Sequence, residues 1–228
     1  MPPTPRPPRA TCWLRLLPMP KRAPLPPVAP APNPRRTTST CCPRAALKIV
    51  KVAEGTKLMS STWVFKNKVD PITGKLDKQK ARLTIRGFEQ VYGKEYLNTD
   101  APTMQAITIR MLFAHAAHLR AAGANVDIYG ADISGAFMYG HFEEGTEIYI
   151  TKPEGFTIKL APDEALKLQR VIYGCKQGSA RFFVELKEWL ESVDFVQSTA
   201  DPCLFVSKCG SMAVGTHVDD LAILATAE

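Results

Sequence analysis

Two adjacent carboxylates lie near the C-terminus of this 228-residue chain, between two apolar runs. Asp219 and Asp220 follow Val218 and precede Leu221, a pattern that predicts a strand, a turn and a second strand. Burying two like charges side by side is costly unless a cation is present, and Mg²⁺ prefers carboxylate oxygens together with substrate phosphate oxygens. Because Asp is also a favoured turn residue, the dipeptide alone is better interpreted as a plain β-turn.

A third carboxylate changes this interpretation. Asp132 directly follows a predicted strand over residues 125–131, and an aromatic residue, Phe137, stands five positions further on. Two-metal phosphoryl transfer needs acidic groups from different strands around ions that are about 3.5–4 Å apart. Asp127 is a rival for the mid-chain position, but its fifth following residue is Asp132 rather than an aromatic one.

The segments that must position these carboxylates mix strands and helices without regular alternation, which predicts the α+β class. A strong turn signal over residues 70–74 joins two strands into a hairpin whose one face carries Lys80, Arg82 and Arg86. The region Thr103–Arg120 is apolar nearly all round and predicts a buried helix. A second helix with one apolar stripe is predicted over residues 179–193. Further strands are predicted at residues 47–52, 62–69, 78–86, 203–207, 212–218 and 221–225.

The basic character of the chain is confined to its N-terminus. Residues 1–46 hold 8 of the 29 Lys and Arg, no Asp or Glu, and 14 of the 19 prolines. Residues 47–228 therefore have a net charge of about −1, so the overall pI does not indicate that the folded part binds nucleic acid. The prolines would interrupt the amphipathic helix of a mitochondrial presequence. We predict a disordered leader over 1–46 and a folded domain over 47–228.

Cysteine usage and hydropathy indicate an intracellular protein, cytoplasmic or nuclear and not secreted. No secretory signal is recognisable, and no apolar run approaches the roughly 18 residues of a membrane span. Cys175, Cys203 and Cys209 are widely spaced, which predicts reduced thiols rather than structural zinc or a disulfide framework.

Residues 47–228 resemble the reverse transcriptase of copia-type retrotransposons. Each matching motif is weak alone, but their order and spacing together are specific. The motifs are Trp63-Val64-Phe65-Lys66, the run KARLTIRGF at 80–88, Asp132-(x4)-Phe137, Tyr173-Gly174-Cys175-Lys176-Gln177, the run STADPCLF at 198–205, and His217-Val218-Asp219-Asp220. The resemblance implies the fingers and palm of an RNA-directed DNA polymerase, with an antiparallel palm sheet, packed helices and no thumb.

The same resemblance implies roles for the acidic residues. Asp132 and Asp219 would be the main metal ligands, and Asp220 would complete the acidic cluster. The ions would be two Mg²⁺, with Mn²⁺ as a substitute, and the reaction would join deoxynucleoside triphosphates to a primer on an RNA or DNA template.

Substrate contacts are implied at further positions. The backbone at Ile133 and Ser134 would approach the triphosphate, and Gln177 would lie near the incoming nucleotide and the template. Phe137 would exclude the 2′-hydroxyl of a ribonucleotide, although an aromatic residue is more commonly part of a core. Arg82, with Lys80, would hold the triphosphate; without the resemblance these basic residues would be ordinary solubility devices on a hairpin.

This chain departs from the family pattern in three side chains and in length. His217 replaces the usual Tyr, Phe182 replaces a Trp, and Asp194 replaces a Gly, which loses a helix-stop signal. The chain stops at Glu228, where the resemblance implies that a thumb and ribonuclease H would follow, so we expect an unfinished sheet edge at the last strand. We expect weak or no activity from the isolated chain, with integrase and ribonuclease H domains as polyprotein partners.

Two alternatives remain open from the sequence. The chain could be a non-catalytic retrotransposon relic or a weak nucleic-acid-binding domain, with no membrane partner in either case. A metal-dependent nuclease or another nucleotidyl transferase using the same carboxylates is disfavoured by the order of the elements and by Phe137.

Overall fold

The structure is a computed structural model that describes residues 39–41 and 46–227. Strands dominate this part of the chain. Eleven strands and two α-helices lie within these residues, together with two short 3-10 helices at Gly87–Glu89 and Ala136–Tyr139. In chain order the strands and α-helices are β1 (Ser39–Cys41), β2 (Leu47–Lys51), β3 (Ser61–Val69), β4 (Leu76–Ile85), α1 (Ala106–Ala121), β5 (Asn125–Asp132), β6 (Tyr149–Ile150), β7 (Glu164–Leu168), α2 (Gly178–Ser192), β8 (Phe195–Gln197), β9 (Leu204–Ser207), β10 (Met212–His217) and β11 (Asp220–Ala227).

Each strand and helix expected from the sequence is present within three residues of its predicted bounds. The mixed α and β class is confirmed as antiparallel sheets with two helices, whereas β6, β7 and β8 had no sequence prediction. Most of the predicted leader lies outside the described residues. Three residues that we assigned to it form β1, which pairs parallel with β4.

The basic hairpin is made by β3 and β4, which pair antiparallel. Its turn is fixed by Asp70, whose Oδ1 accepts hydrogen bonds from the N–H groups of Ile72 and Thr73 at 2.7 and 2.9 Å. Gly74 closes the turn with a φ of 66°, a value that glycine adopts without a steric cost. Apolar residues of β4 alternate inward as predicted, and the buried ones are Ala81, Leu83 and Ile85.

The main sheet has the strand order β5-β11-β10-β9-β8, with antiparallel neighbours throughout. We expected the last strand to leave an unfinished edge, and this expectation is wrong. Strand β11 lies between β5 and β10, so both of its sides are hydrogen bonded. The chain leaves this sheet after β5 and returns to it from β8 onward. Asp132 and the pair Asp219–Asp220 therefore lie together at one end of the sheet.

The two helices cover opposite faces of the main sheet. Ala116 of α1 packs with Leu224, whereas Leu186 of α2 packs with the next residue of β11, Ala225. Successive residues of a strand point to opposite faces, so each helix has its own apolar layer. Phe182 and Leu190 also lie buried on the α2 side, as the apolar stripe predicts.

The prediction that α1 is a buried helix is wrong. Only Thr108 and Ala116 are buried, while Ile107, Met111 and Phe113 are 55%, 64% and 51% exposed. The helix packs on the sheet along one side, and apolar residues elsewhere on it remain more than half exposed. Because apolar residues occur all around α1, the sequence did not show which side of the helix is buried.

The start of α1 is hydrogen bonded to a buried carboxylate, that of Asp201, which is more than 90 positions later in the chain. Asp201 is 3% exposed, and its Oδ2 accepts hydrogen bonds from the backbone N–H of Gln105 and the hydroxyl of Thr108. Its Oδ1 accepts the N–H of Cys203 at 2.9 Å. Burial raises the pKa of Asp201, but the bonds from Thr108, Cys203 and Gln105 outweigh this effect and lower it.

The expected loss of a helix stop at Asp194 does not occur. Helix α2 ends at Ser192, and Asp194 itself takes the left-handed conformation with a φ of 67°. Asp tolerates this region better than most residues because its short polar side chain bonds locally. Here its carboxylate pairs with Lys208 at 3.0 Å, and its carbonyl accepts the Lys208 N–H.

A third sheet, in the order β2-β7-β6, joins the hairpin to the rest of the fold. Its apolar layer contains Ile150, Leu166 and Leu168 and also receives Ile85 from the end of β4. Neither helix in the described part of the chain is long and apolar enough to cross a membrane.

Candidate active site

The acidic residues meet where β5, β11 and β10 come together. Asp132, the last residue of β5, is directly opposite Asp220, the first residue of β11, and Asp220 is in turn opposite His217 of β10. Residues that are paired across antiparallel strands project from the same face of a sheet. Asp219 lies in the turn between the two strands, and its carbonyl accepts the Ile133 N–H at 2.9 Å. The predicted meeting of the three acidic residues at one sheet end is therefore present in the backbone register.

The turn that carries Asp219 is strained. Val218 has a φ of 55°, and a β-branched residue in this region is a conformational outlier. A positive φ at the first of two loop residues is the pattern of a type II′ hairpin turn, where Gly is preferred. Strain of this kind is retained where the surrounding structure over-determines it, and it is concentrated at functional sites.

Carboxylate oxygens suit a hard divalent cation, and this end of the sheet is open to solvent. Asp132 and Asp220 are exposed, and Asp219 is half-buried. Within residues 46–227 no three Asp, Glu, His or Cys side chains are gathered closely enough to form a metal-ligand cluster. The residues thus fit a divalent ion by ligand type and by register, while their side chains are not drawn together around one point.

The segment after Asp132 leads directly to Phe137. Gly135 has a φ of 72°, which turns the chain into a short 3-10 helix over Ala136–Tyr139. Ile133 is half-buried and Ser134 is exposed, so both predicted backbone positions lie between the acidic residue and this turn. The Phe137 ring is half-buried and contacts the ring of Tyr173, with their centroids 5.4 Å apart.

The basic hairpin is linked to Phe137 through Arg82 and Tyr173. Its guanidinium lies over the Tyr173 ring, 5.3 Å from the centroid. Lys80 is two residues earlier on β4 and shares its face, because side chains alternate along a strand. The sequence contains Tyr173 in a matched motif, but nothing in its type or spacing predicted that it would contact both Arg82 and Phe137.

Gln177 has an internal position, and its predicted proximity to nucleotide and template stays a prediction. It is 1% exposed, its Oε1 accepts a hydrogen bond from Nε2 of Gln90 at 2.9 Å, and its own Nε2 donates to the carbonyl of Glu95 at 2.8 Å. Gln90 completes the link because its Oε1 accepts the Lys176 N–H at 2.7 Å. Gln90 and Glu95 were not expected from the sequence, since a buried polar pair has no local signature.

Two glycines bring the hairpin and the start of α2 into backbone contact. A Cβ on Gly87 would lie 2.0 Å from the carbonyl oxygen of Gly174, and a Cβ on Gly174 would lie 2.1 Å from the carbonyl oxygen of Ile85. The Ile85 N–H also donates to the Tyr173 carbonyl at 2.9 Å. Two of the motifs singled out from the sequence, at 80–88 and 173–177, are therefore one structural unit.

Next to this contact between the hairpin and the start of α2, the Glu89 carboxylate binds Ser60, the residue before β3. Glu89 accepts a hydrogen bond from the Ser60 N–H at 2.8 Å and another from the Ser60 hydroxyl. These two bonds, the hydroxyl first, lower the pKa of Glu89 despite some desolvation. Lys57 also bonds the Glu89 carbonyl and pairs with Glu95 at 3.0 Å.

Comparisons with known proteins identify the family of this chain. Residues 44–227 match the family described as Reverse transcriptase (RNA-dependent DNA polymerase). The chain is 33% identical over 172 residues to the Retrovirus-related Pol polyprotein from transposon RE2 of Arabidopsis thaliana, covering 73% of this chain and 11% of that polyprotein. It is 29% identical over 180 residues to the Retrovirus-related Pol polyprotein from transposon TNT 1-94 of Nicotiana tabacum, covering 78% of this chain and 13% of the relative.

A more distant similarity is to the Transposon Ty1-NL2 Gag-Pol polyprotein of Saccharomyces cerevisiae, at 26% identity over 168 residues, which cover 73% of this chain and 9% of the relative. The chain belongs to the reverse transcriptase family. More narrowly, it is a reverse transcriptase domain of the copia-type Pol polyproteins, and it spans about an eighth or less of the length of these relatives.

Proposed function

We propose that this domain catalyses RNA-directed DNA synthesis through a two-metal nucleotidyl transfer. The primer 3′-hydroxyl attacks the α-phosphate of a deoxynucleoside triphosphate, and pyrophosphate leaves. The observation that carries the proposal is the pairing of Asp132 with Asp220 across β5 and β11, next to the turn that holds Asp219. In this assignment the hairpin β3–β4 belongs to the fingers and the five-stranded sheet to the palm.

The three carboxylates would hold the divalent ions, Mg²⁺ by preference and Mn²⁺ as a substitute. Bound there, the ions would supply electrostatic stabilisation of the attacking and leaving oxygens. Asp132 and Asp219 are the main ligands in this proposal, and Asp220 completes the acidic cluster. Because Asp220 and Asp132 are exposed, substrate can approach them without displacing protein.

The remaining residues act on the nucleotide. Arg82 and Lys80 face the triphosphate from β4, where a guanidinium can bind phosphate oxygens in pairs. The backbone at Ile133 and Ser134 lies beside the phosphates, and Phe137 limits the space for a ribose 2′-hydroxyl. Gln177 acts indirectly, because its buried amide holds the segment around Gln90 and Glu95 against the start of α2.

We expect the isolated chain to bind template and primer weakly. Affinity for nucleic acid comes largely from Lys and Arg contacts with phosphates, and residues 47–228 have a net charge of about −1. Integrase and ribonuclease H domains of a Pol polyprotein are the proposed partners that would strengthen binding. A non-catalytic, weakly binding domain is the second candidate, favoured by the absence of a gathered ligand cluster within residues 46–227.

A single-turnover primer-extension assay on the full chain separates these candidates. We expect Mg²⁺-dependent addition of deoxynucleotides, which Asp219→Asn or Asp132→Asn lowers at least about 100-fold. Asp127→Asn is the matched control, since Asp127 is on β5 but five residues from Asp132, and it should stay within about twofold. Equal extension by wild type and Asp219→Asn contradicts the proposal. A wild-type chain that neither extends a primer nor binds dCTP with Mg²⁺ at high enzyme concentration favours the second candidate.

A further inference from the structure

Tyr173 lies between the two side chains that the proposed function assigns to opposite ends of the nucleotide. Its ring carries the guanidinium of Arg82 at 5.3 Å from the centroid. The same ring meets the Phe137 ring at 5.4 Å between centroids, with the planes inclined at 75°. Arg82 belongs to the fingers hairpin, and Phe137 follows the catalytic strand β5, so Tyr173 is the direct contact between them.

The backbone of Tyr173 is held against the end of β4. The Tyr173 carbonyl accepts the Ile85 N–H at 2.9 Å, three residues beyond Arg82 on the same chain segment. The next residue, Gly174, has a φ of 90° and comes so close to Ile85 that an added Cβ would lie 2.1 Å from the Ile85 carbonyl oxygen. The backbone of Tyr173 is therefore held against the end of β4, which places its side chain beside that of Arg82.

The Phe137 ring also packs against the apolar cluster that contains Phe182 of α2, and it lies near Gly178 at the start of that helix. A Cβ added to Gly178 would lie 3.8 Å from an edge carbon of Phe137, which is ordinary packing distance. Phe137 thus has Tyr173 as an aromatic neighbour and the start of α2 as a second one. Edge-to-face aromatic pairs and cation–π pairs both have preferred geometries. The Tyr173 ring can therefore orient both the Arg82 guanidinium and the Phe137 ring, which is the proposed gate against the ribose 2′-hydroxyl.

We infer that Tyr173 is a positioning residue that sets sugar discrimination and triphosphate binding together. Through its ring it fixes the Phe137 gate, and through the same ring it aims Arg82. This inference rests on the proposed function. Its distinctive consequence is that losing the ring changes the preference for deoxynucleotides over ribonucleotides, although Tyr173 itself need not touch the sugar.

The test compares Tyr173→Leu with Tyr173→Phe in the full chain. The dCTP-over-CTP ratio of kcat/KM is measured by primer extension, and binding of the two nucleotides with Mg²⁺ is measured by equilibrium dialysis. We expect Tyr173→Leu to lower the ratio about fivefold to tenfold and to raise the KM for dCTP, because two oriented contacts are lost. Tyr173→Phe keeps the ring and should restore both values to within about twofold.

Tyr129→Leu is the control, because Tyr129 is a half-exposed tyrosine on β5 and should leave the ratio unchanged. An equal loss of kcat/KM for both nucleotides in Tyr173→Leu, with the ratio kept, would mean a merely structural role and overturns the inference alone. Failure of the wild-type chain both to extend a primer and to bind dCTP overturns the proposed function and this inference with it.

Discussion

Asp132 and Asp220 are directly paired residues of neighbouring antiparallel strands, although they are 88 positions apart in the chain. The same register continues without interruption along β5 and β11 to the pair of Asn125 and Ala227. A slip of one residue would turn every side chain of a strand to the other face. The apolar layers on both faces of the sheet therefore hold the two carboxylates side by side.

The buried carboxylate of Asp201 should contribute much of the stability of α1. Asp201→Ala leaves the N–H groups of Gln105 and Cys203 and the Thr108 hydroxyl without their acceptor, which should cost about 3 kcal/mol in the free energy of unfolding. Urea denaturation at neutral pH measures this value. A loss below about 1 kcal/mol would show that these bonds contribute little.

The same residue predicts how stability depends on acid. Its pKa in the folded protein is below the ordinary value of 3.8, so its contribution is fully present above that value. It is lost as the pH falls through the lower folded pKa. Asp201→Asn keeps the shape but cannot titrate, so its stability should fall less steeply than that of the wild type below pH 4. Parallel curves for the two proteins would contradict this assignment.

The turn before the acidic pair stores strain that a single substitution should release. Val218→Gly removes the steric cost of a β-branched residue at a φ of 55° and should raise the free energy of unfolding by about 1 kcal/mol. Val206→Gly is the control in an ordinary strand position and should lower it by about 1 kcal/mol. Equal losses in both variants would mean that the turn is not strained.

The contact between the hairpin and the start of α2 should not tolerate a methyl group. Gly87→Ala forces a Cβ to within 2.0 Å of the Gly174 oxygen, and we expect a loss of about 2–4 kcal/mol or failure to fold. Gly130→Ala is the matched control, because a Cβ there meets nothing within 4 Å. Urea denaturation or the soluble yield of both variants provides the comparison, and matching values would disprove the close approach.

The described cysteines should differ strongly in reactivity. Burial raises the pKa of Cys175 to about 12, and it also raises the pKa of Cys203, whereas Cys209 is exposed. Since the thiolate is the reactive form, iodoacetamide at pH 8 should modify Cys209 at least about 100-fold faster than Cys175. Mass spectrometry of separate peptides measures the rates, and similar rates in the folded chain would contradict the burial of Cys175.

Local pattern predicted the strands that frame the site better than it predicted the contacts between them. The alternation around Ala81, Leu83 and Ile85 identified β4 and its inward face, because period two is a property of the strand itself. The exposure of α1 was missed, since burial depends on what lies beside a helix. The internal position of Gln177 was also missed, because its partners Gln90 and Glu95 are more than 80 positions away.

Two departures from the family pattern, Asp194 and His217, differ in where the fold places them. Asp194 predicted a lost helix stop, yet the residue takes the left-handed conformation that Gly would otherwise supply. The replacement of Tyr by His217 occurs in register with Asp220, next to the site itself. Only the fold could show that the first change is absorbed locally and that the second faces the carboxylates.

The proposed function requires the carboxylates of Asp132, Asp219 and Asp220 to bind divalent metal ions together. This metal binding can be tested without polymerase activity: Mn²⁺ is titrated into ¹⁵N-labelled full-length chain, and paramagnetic broadening of the amide signals is recorded. We predict that the signals of residues 132–134 and 217–220 broaden first, that excess Mg²⁺ reverses the effect, and that Asp132→Asn and Asp219→Asn weaken it at least about tenfold while Asp127→Asn does not. Broadening that begins elsewhere, or that persists unchanged in Asp132→Asn and Asp219→Asn, would contradict the claim.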